Sequence, residues 1–350
     1  MKTYEKVKNQ PREIRSHPER HSDSYEMSAD DVNEITEIFN TPLVGTYNWD
    51  YSMPNTRIKK LYNLGKRLNW DVDVDLDWEQ PFPKNEFPLK EECNPFRGFS
   101  PYDTLPEQEK IEISWARLGA SLSSMLHGEQ GALLVASQLT NCVPSHEAKL
   151  FAASQTFDEA RHVEFFNKVI QRYVKKIYPC KSGLKTVMDK ILTDRRWDLK
   201  FIGMQVIIES LARVSFTAMA AETNIPALKK GLDLIDRDEA RHVTFGLNYL
   251  KEYLGTLSAE ELNERAEFAL EAVLILKGVA PSGRSGSELP FSAEAYGWDL
   301  EELRTHVKEN RKITGSSRDL YEVILPILED LGLLTEEVRP QWEFARSCTN

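Results

Sequence analysis

Between Pro106 and Leu254 apolar residues recur at intervals of three and four, the spacing that lays an apolar stripe along an α-helix. Breaks at Pro144, across 179–183 and across 224–226 divide this stretch into four long helices. The first is predicted to turn Ile111, Trp115, Leu118, Leu122, Met125, Glu129, Ala132, Ala136 and Leu139 inward. The second turns in Ala148, Ala152, Gln155, Glu159, His162, Phe166 and Tyr173; the third Ile202, Gln205, Glu209, Ala212, Phe216 and Met219; the fourth Leu228, Leu232, Ile235, Glu239, His242 and Tyr249. Further helical patterns lie near 258–278, 299–312 and 317–333, with a flexible Gly/Ser loop near 280–288. Eight prolines with Trp49, Trp70 and Trp78 fall in 41–106, which predicts an irregular segment wrapped over the core with its aromatic rings as anchors. The expected organisation is all-α: a polar, poorly ordered arm (1–30), an irregular aromatic- and Pro-rich lead-in (31–105), a four-helix bundle (106–255) and C-terminal helices (256–350).

Every bundle stripe carries a glutamate in its apolar seam, and two carry a histidine three residues later. Burying four carboxylates without compensation costs many kcal/mol, so a cation is required among them. Glu129 and Glu159 stand thirty residues apart with Pro144 midway, so an antiparallel hairpin returns them to one height. Glu209 and Glu239 repeat that interval around the 224–226 turn. The run Asp-Glu-Ala-Arg-His occupies 158–162 and again 238–242, giving the bundle an internal two-fold. At i, i+3 each Glu/His pair lies on one helix face, so both members reach one ion. Glu129, Glu159, His162, Glu209, Glu239 and His242 are therefore candidate ligands for two metal ions. Oxygen donors with one nitrogen per ion suit iron or manganese better than zinc or magnesium. A single Glu-x-x-His is commonly a surface ion pair; two copies with matched upstream glutamates on core stripes are not explained that way.

Asp158 and Asp238 read as acceptors for the outer nitrogens of the ligand imidazoles, or as surface partners of Arg161 and Arg241. Gln155 and Gln205 read equally as pocket residues or as buried hydrogen-bonding groups. Phe166, Phe216, Met125 and Met219 read as core walls or as walls of a substrate cavity. His127 and His146 fall off the stripes and take no role. The Asp71, Asp73, Asp75, Asp77 alternation is not a calcium loop, because Leu76 and Phe82 stand where glycine and glutamate are needed. An extended stretch with a solvated acidic face is expected there instead.

With 44 Lys+Arg against 55 Asp+Glu the formal charge is −11, which gives no electrostatic motive for binding nucleic acid or an anionic membrane. No apolar run approaches the ~20 residues that cross a bilayer. Cys93, Cys142, Cys180 and Cys348 stand at neither metal-site nor redox-pair spacing, so reduced thiols and a cytoplasmic location are expected.

Glu129, Glu159-x-x-His162, Glu209 and Glu239-x-x-His242 resemble the ligand set of the ferritin-like di-iron carboxylate proteins, which include multicomponent monooxygenases, arylamine N-oxygenases, acyl-carrier-protein desaturases and ribonucleotide reductase small subunits. The lead-in from Lys59-Lys60-Leu61-Tyr62 through Leu68-Asn69-Trp70 to Asp75-Leu76-Asp77-Trp78 is similar to the segment preceding the bundle in oxygenase-type members. The resemblance spans about residues 57 to 254 and implies a ferritin-like four-helix bundle holding two iron ions, or a manganese–iron pair, with O2 as co-substrate. It also implies that Asp158 and Asp238 bond ligand histidines of the opposite half, buttressed by Arg161 and Arg241. Three positions depart from family patterns. Ile235 stands where arylamine N-oxygenases carry an extra ligand histidine, Arg213 where many hydroxylases carry a threonine, and Phe166 where radical-generating subunits carry a tyrosine. Ser210 or Ser215 would have to supply the missing hydroxyl. Met125, Gln155, Phe166, Gln205, Arg213 and Phe216 are the pocket candidates. The expected function is a di-iron oxygenase that hydroxylates or N-oxygenates a small organic substrate. A radical-initiating subunit and a ferroxidase or iron-storage protein are the alternatives. The chain shows no flavin, nicotinamide or iron–sulfur motif, so an external reductase or ferredoxin is the expected electron donor. Bundles of this kind often form homodimers.

Overall fold

The computed structural model describes residues 44–51, 56–277, 293–314 and 320–347. The arm over 1–30 and the Gly/Ser loop near 280–288 lie outside them. Helix α1 (Arg57–Leu68) opens the described core, followed by α2 (Glu107–Cys142), α3 (His146–Val169) and α4 (Ser182–Thr193). Next come α5 (Trp197–Glu222), α6 (Pro226–Leu254), α7 (Ala259–Leu276), α8 (Leu300–Thr314), α9 (Leu320–Asp330) and α10 (Arg339–Ser347). Among the described residues the sole β pairing is the isolated Leu89–Thr223 bridge.

The bundle consists of two hairpins, α2–α3 and α5–α6, which supply the four long helices expected from the apolar stripes. Local chemistry sets their ends. Ser145 accepts the Ala148 N–H at 3.2 Å to start α3, Pro226 occupies the first turn of α6, and Ser258 with Glu261 forms a capping box on α7. The segment from Pro179 to Asp194, whose path the sequence leaves open, contains α4, which packs on α2 and α7. C-terminal helices α7 and α9 share the bundle's apolar core, Leu270, Val273, Ile324 and Leu328 being buried with Ile202 and Val206 of α5, whereas α8 buries Leu303 and Val307 in a separate cluster with Phe96 and Phe99. Helix α10, unmarked by the sequence pattern, adds Trp342 to the bundle's core.

Several expectations need correction. The lead-in is not irregular throughout. Thr56 accepts the Lys59 N–H at 3.1 Å and starts α1, whose Ile58, Leu61 and Tyr62 pack on the core while its lysines and arginines face solvent, which masked the periodicity. Trp70 and Trp78 are buried anchors, but Trp49 is 73% exposed and stacks on Tyr47. Residues 71–77 form a turn rather than an extended stretch. Asp71 Oδ1 accepts the N–H groups of Asp73 and Val74, and Asp75 Oδ2 accepts that of Asp71, the self-capping to which short acidic side chains are suited. Helix α5 is long and apolar enough to cross a membrane by length and composition alone. It is apolar on several faces because α6, α7 and α9 cover it, and 61% of its most apolar window is buried.

Candidate metal centre

Helices α2 and α5 each bring one glutamate, and α3 and α6 each bring a glutamate and a histidine, to one level of the bundle. All six side chains are buried, none more than 4% exposed. The imidazole Nδ1 atoms point into the cluster. His162 Nδ1 lies 3.2 Å from Glu129 Oε2, 3.1 Å from Glu159 Oε2 and 3.0 Å from Glu239 Oε1. His242 Nδ1 lies 3.1 Å from Glu159 Oε1 and 3.2 Å from Glu239 Oε2. Glu159 and Glu239 thus present one oxygen to each histidine, whereas Glu129 joins the first group and Glu209 the second. Two overlapping donor sets result, Glu129/Glu159/His162/Glu239 and Glu159/Glu209/Glu239/His242, with donor atoms within 4.8 Å of one another in each.

Electrostatics shows what this arrangement lacks. Burial, reinforced by the charges of Glu239 and Glu159, pushes Glu129 up to about 8 even against the imidazole of His162. Burial and the neighbouring carboxylates raise Glu209 well above the ordinary range. Both histidines are driven upward despite burial, because carboxylates surround them. Without another cation, protons must neutralise the cluster. Glu209 Oε2 is a buried oxygen without a hydrogen-bond donor, and Glu239 Oε1 faces only the Nδ1 of His162, at 3.0 Å. Four carboxylates, one of them with an orphaned oxygen, and two inward Nδ1 atoms are a donor set that suits two divalent ions.

The outer nitrogens face a second layer. His242 Nε2 lies 3.2 Å from Asp158 Oδ2, and His162 Nε2 lies 3.5 Å from Asp238 Oδ2, so each aspartate serves the histidine of the other half. Arg161 contacts Asp158 and lies 3.4 Å from Asp238; Arg241 donates to Asp158 at 2.7 Å and to Asp238 at 2.8 Å. The two aspartates and two arginines form a charge-balanced, buried quartet. Burial would raise both carboxyls, but the bonded imidazoles and Arg241 hold them below the ordinary range. Trp70, which the sequence marks only as an aromatic anchor, donates its indole N–H to Asp238 Oδ2 at 2.7 Å and stacks on the His162 ring. No residue spacing in the chain announces that contact.

The six pocket candidates separate. Met125 and Phe216 line a cavity of about 160 Å³ whose floor includes Glu129, Glu209 and Glu239. Phe166 packs on Phe165 and Phe216 in the core behind it. Arg213 turns away, its guanidinium 2.9 Å from Asp236. Ser215 lines the cavity but donates to the Leu211 carbonyl, while Ser210 is buried outside it. Gln155 and Gln205 are buried hydrogen-bonding groups and do not line the cavity: Gln155 Nε2 donates to Glu209 at 2.8 Å and to Glu159 at 3.1 Å, and Gln205 Nε2 donates to Gln155 at 3.4 Å. Gln205 does not bond Glu209 as Gln155 bonds Glu159, because α5 is π-helical over Ile202–Ile208 and the Glu209 N–H reaches back to the Met204 carbonyl. That extra residue per turn rotates Met204 and Ile208 onto the cavity wall.

A profile for P-aminobenzoate N-oxygenase AurF matches residues 53–332. No curated protein sequence matches the chain. Among solved structures, R2-like ligand-binding oxidase mutants with an anaerobically reconstituted Mn/Fe cofactor share 19% identity, cover 76% of this chain and 93% of theirs, and superpose with a TM-score of 0.44. An R2-like ligand-binding oxidase with aerobically reconstituted metal cofactor after photoconversion shares 18% identity over 81% of this chain and 93% of its own, with a TM-score of 0.44.

Proposed function

This chain belongs to the P-aminobenzoate N-oxygenase family and is a di-iron oxygenase acting on a small molecule with O2 as co-substrate, and from that premise we propose how its own residues serve the reaction. Glu129, Glu159, His162 and Glu239 would hold one ion, and Glu159, Glu209, Glu239 and His242 the other. When bound, the two iron ions supply reduction of O2, one oxygen atom passing to the substrate and the other leaving as water with two electrons and two protons.

Asp238 and Asp158 keep the protons of His162 and His242 on Nε2, so that both Nδ1 lone pairs face the cluster. Gln155 holds one oxygen of Glu209 and one of Glu159 from behind. Met125, Ile208 and Phe216 give the cavity above the carboxylates an apolar wall. Ile235, fully buried among apolar neighbours, adds no donor, which leaves one imidazole for each ion. The reaction is hydroxylation or N-oxygenation of a small organic substrate. Its electrons come from a separate reductase or ferredoxin, because the sequence carries no motif for a redox cofactor that would deliver them. The free thiols Cys93, Cys142 and Cys180 support a reducing, cytoplasmic setting.

The observation that carries the assignment is the sharing of Glu159 and Glu239 between both histidines. Elemental analysis of protein made in iron-replete medium should give two irons per chain. Glu129→Ala should lose one iron and Glu159→Ala both; full iron retention by Glu159→Ala would refute the assignment. Reductant-dependent uptake of O2, with its oxygen recovered in product, tests the chemistry.

A further inference from the structure

We propose that the cavity beside the metal centre takes a small, uncharged, ring-sized molecule and rejects carboxylates, so that this member of the family does not use an aminobenzoate-type anion. The inference rests on the oxygenase reading and narrows its substrate class.

Three observations carry it. The cavity, about 160 Å³ and open on one side, has room for one aromatic ring with a small substituent, an enclosed apolar cavity near 150 Å³ being enough for benzene. No lysine, arginine or histidine lines it among the described residues; its walls are apolar apart from Ser124, Ser215 and the three carboxylates of the floor. The cation best placed by sequence, Arg213, one turn after Glu209, is committed to Asp236 at 2.9 Å. Four glutamates against two divalent ions leave the floor without net positive charge, so among the described lining residues none repays the desolvation of an anion. An uncharged ring loses only its hydration there, and the two hydroxyls suffice for one polar substituent.

The test uses the full chain loaded with two ferrous ions under anaerobic conditions and measures binding by titration calorimetry. Aniline is the uncharged probe; benzoate and p-aminobenzoate are the anionic ones. Aniline should bind at least tenfold more tightly than p-aminobenzoate. Ser124→Arg, which brings a guanidinium to the wall, should invert the order, benzoate gaining at least tenfold. Ser215→Arg is the second variant should the first not fold. Equal or tighter binding of p-aminobenzoate by the unsubstituted protein overturns the proposal, as does binding of neither probe. With two irons retained, those outcomes leave the oxygenase reading standing. Failure to take up iron overturns that reading, and with it the inference built upon it.

Discussion

Asp238→Asn probes the link between the buried quartet and the metal centre. Asp238 is fully buried; Oδ2 accepts from Trp70 at 2.7 Å and faces His162 Nε2 at 3.5 Å, while Oδ1 accepts from Arg241 at 2.8 Å. An asparagine has one acceptor oxygen. Whichever way the amide is turned, its NH2 meets a donor: Arg241 in one orientation, Trp70 and His162 in the other. The substitution also leaves two arginines against one carboxylate in the core. Removing one partner from a buried ion pair costs about 3–5 kcal/mol. With about 2.1 cal/mol/K of unfolding entropy per residue, the 350-residue chain should lose about 4–7 °C in Tm. The functional effect should be one-sided. His162 loses the acceptor that fixes its Nε2 proton, so iron should weaken about 10–100-fold at the Glu129/His162 position and little at the His242 position. Calorimetric unfolding of the metal-free protein and anaerobic ferrous titration read the two effects separately, and Asp158→Asn should weaken the other position. A variant that melts within 1 °C of the parent and binds both ions with parent affinity would refute the reasoning.

Gly231→Ala should destabilise by about 1–3 kcal/mol, because its Cβ would lie 2.1 Å from Cε2 of Phe165, a fully buried ring wedged between Trp70, Trp78 and Phe166; chemical denaturation checks it. Gln155→Leu should keep the helical content of the parent but weaken iron about tenfold at the Glu209/His242 position, as read by ferrous titration, since Glu209 loses the amide that orients it. Lys200 is fully buried with Nζ on the carbonyls of Ile191 and Leu192, and burial pushes it down to about 8. Below about 8 both folded and unfolded chains hold the proton and its burial penalty is constant. Between about 8 and 10.5 the unfolded chain binds more protons, so stability contributed at this position rises with pH. Relative to Lys200→Met, the parent should gain about 1–2 kcal/mol across that window once partial screening is allowed for; parallel denaturation curves at pH 7 and pH 10 that differ by the same amount would contradict this.

The six-residue cluster was legible in the sequence because a helix converts spacing into direction: Glu129, Glu159, Glu209 and Glu239 lie on apolar stripes, and thirty-residue intervals around two turns bring them to one height. The same periodicity drew the four bundle helices and most of the C-terminal ones. What decided the rest acts across helices or against the expected turn. The π segment over Ile202–Ile208 has an apolar composition that would serve equally well as α-helix, yet its extra residue breaks the two-fold, sends Gln155 rather than Gln205 to Glu209 and turns Met204 and Ile208 onto the cavity. Arg213 shares a sequence register with the pocket but is drawn outward by Asp236 on α6, a pairing that exists only after α5 and α6 dock. Trp70 reaches Asp238 across 168 residues. Local periodicity fixes which face a side chain occupies; the partner it meets there depends on packing between elements distant in the chain, and that is settled only when the bundle closes.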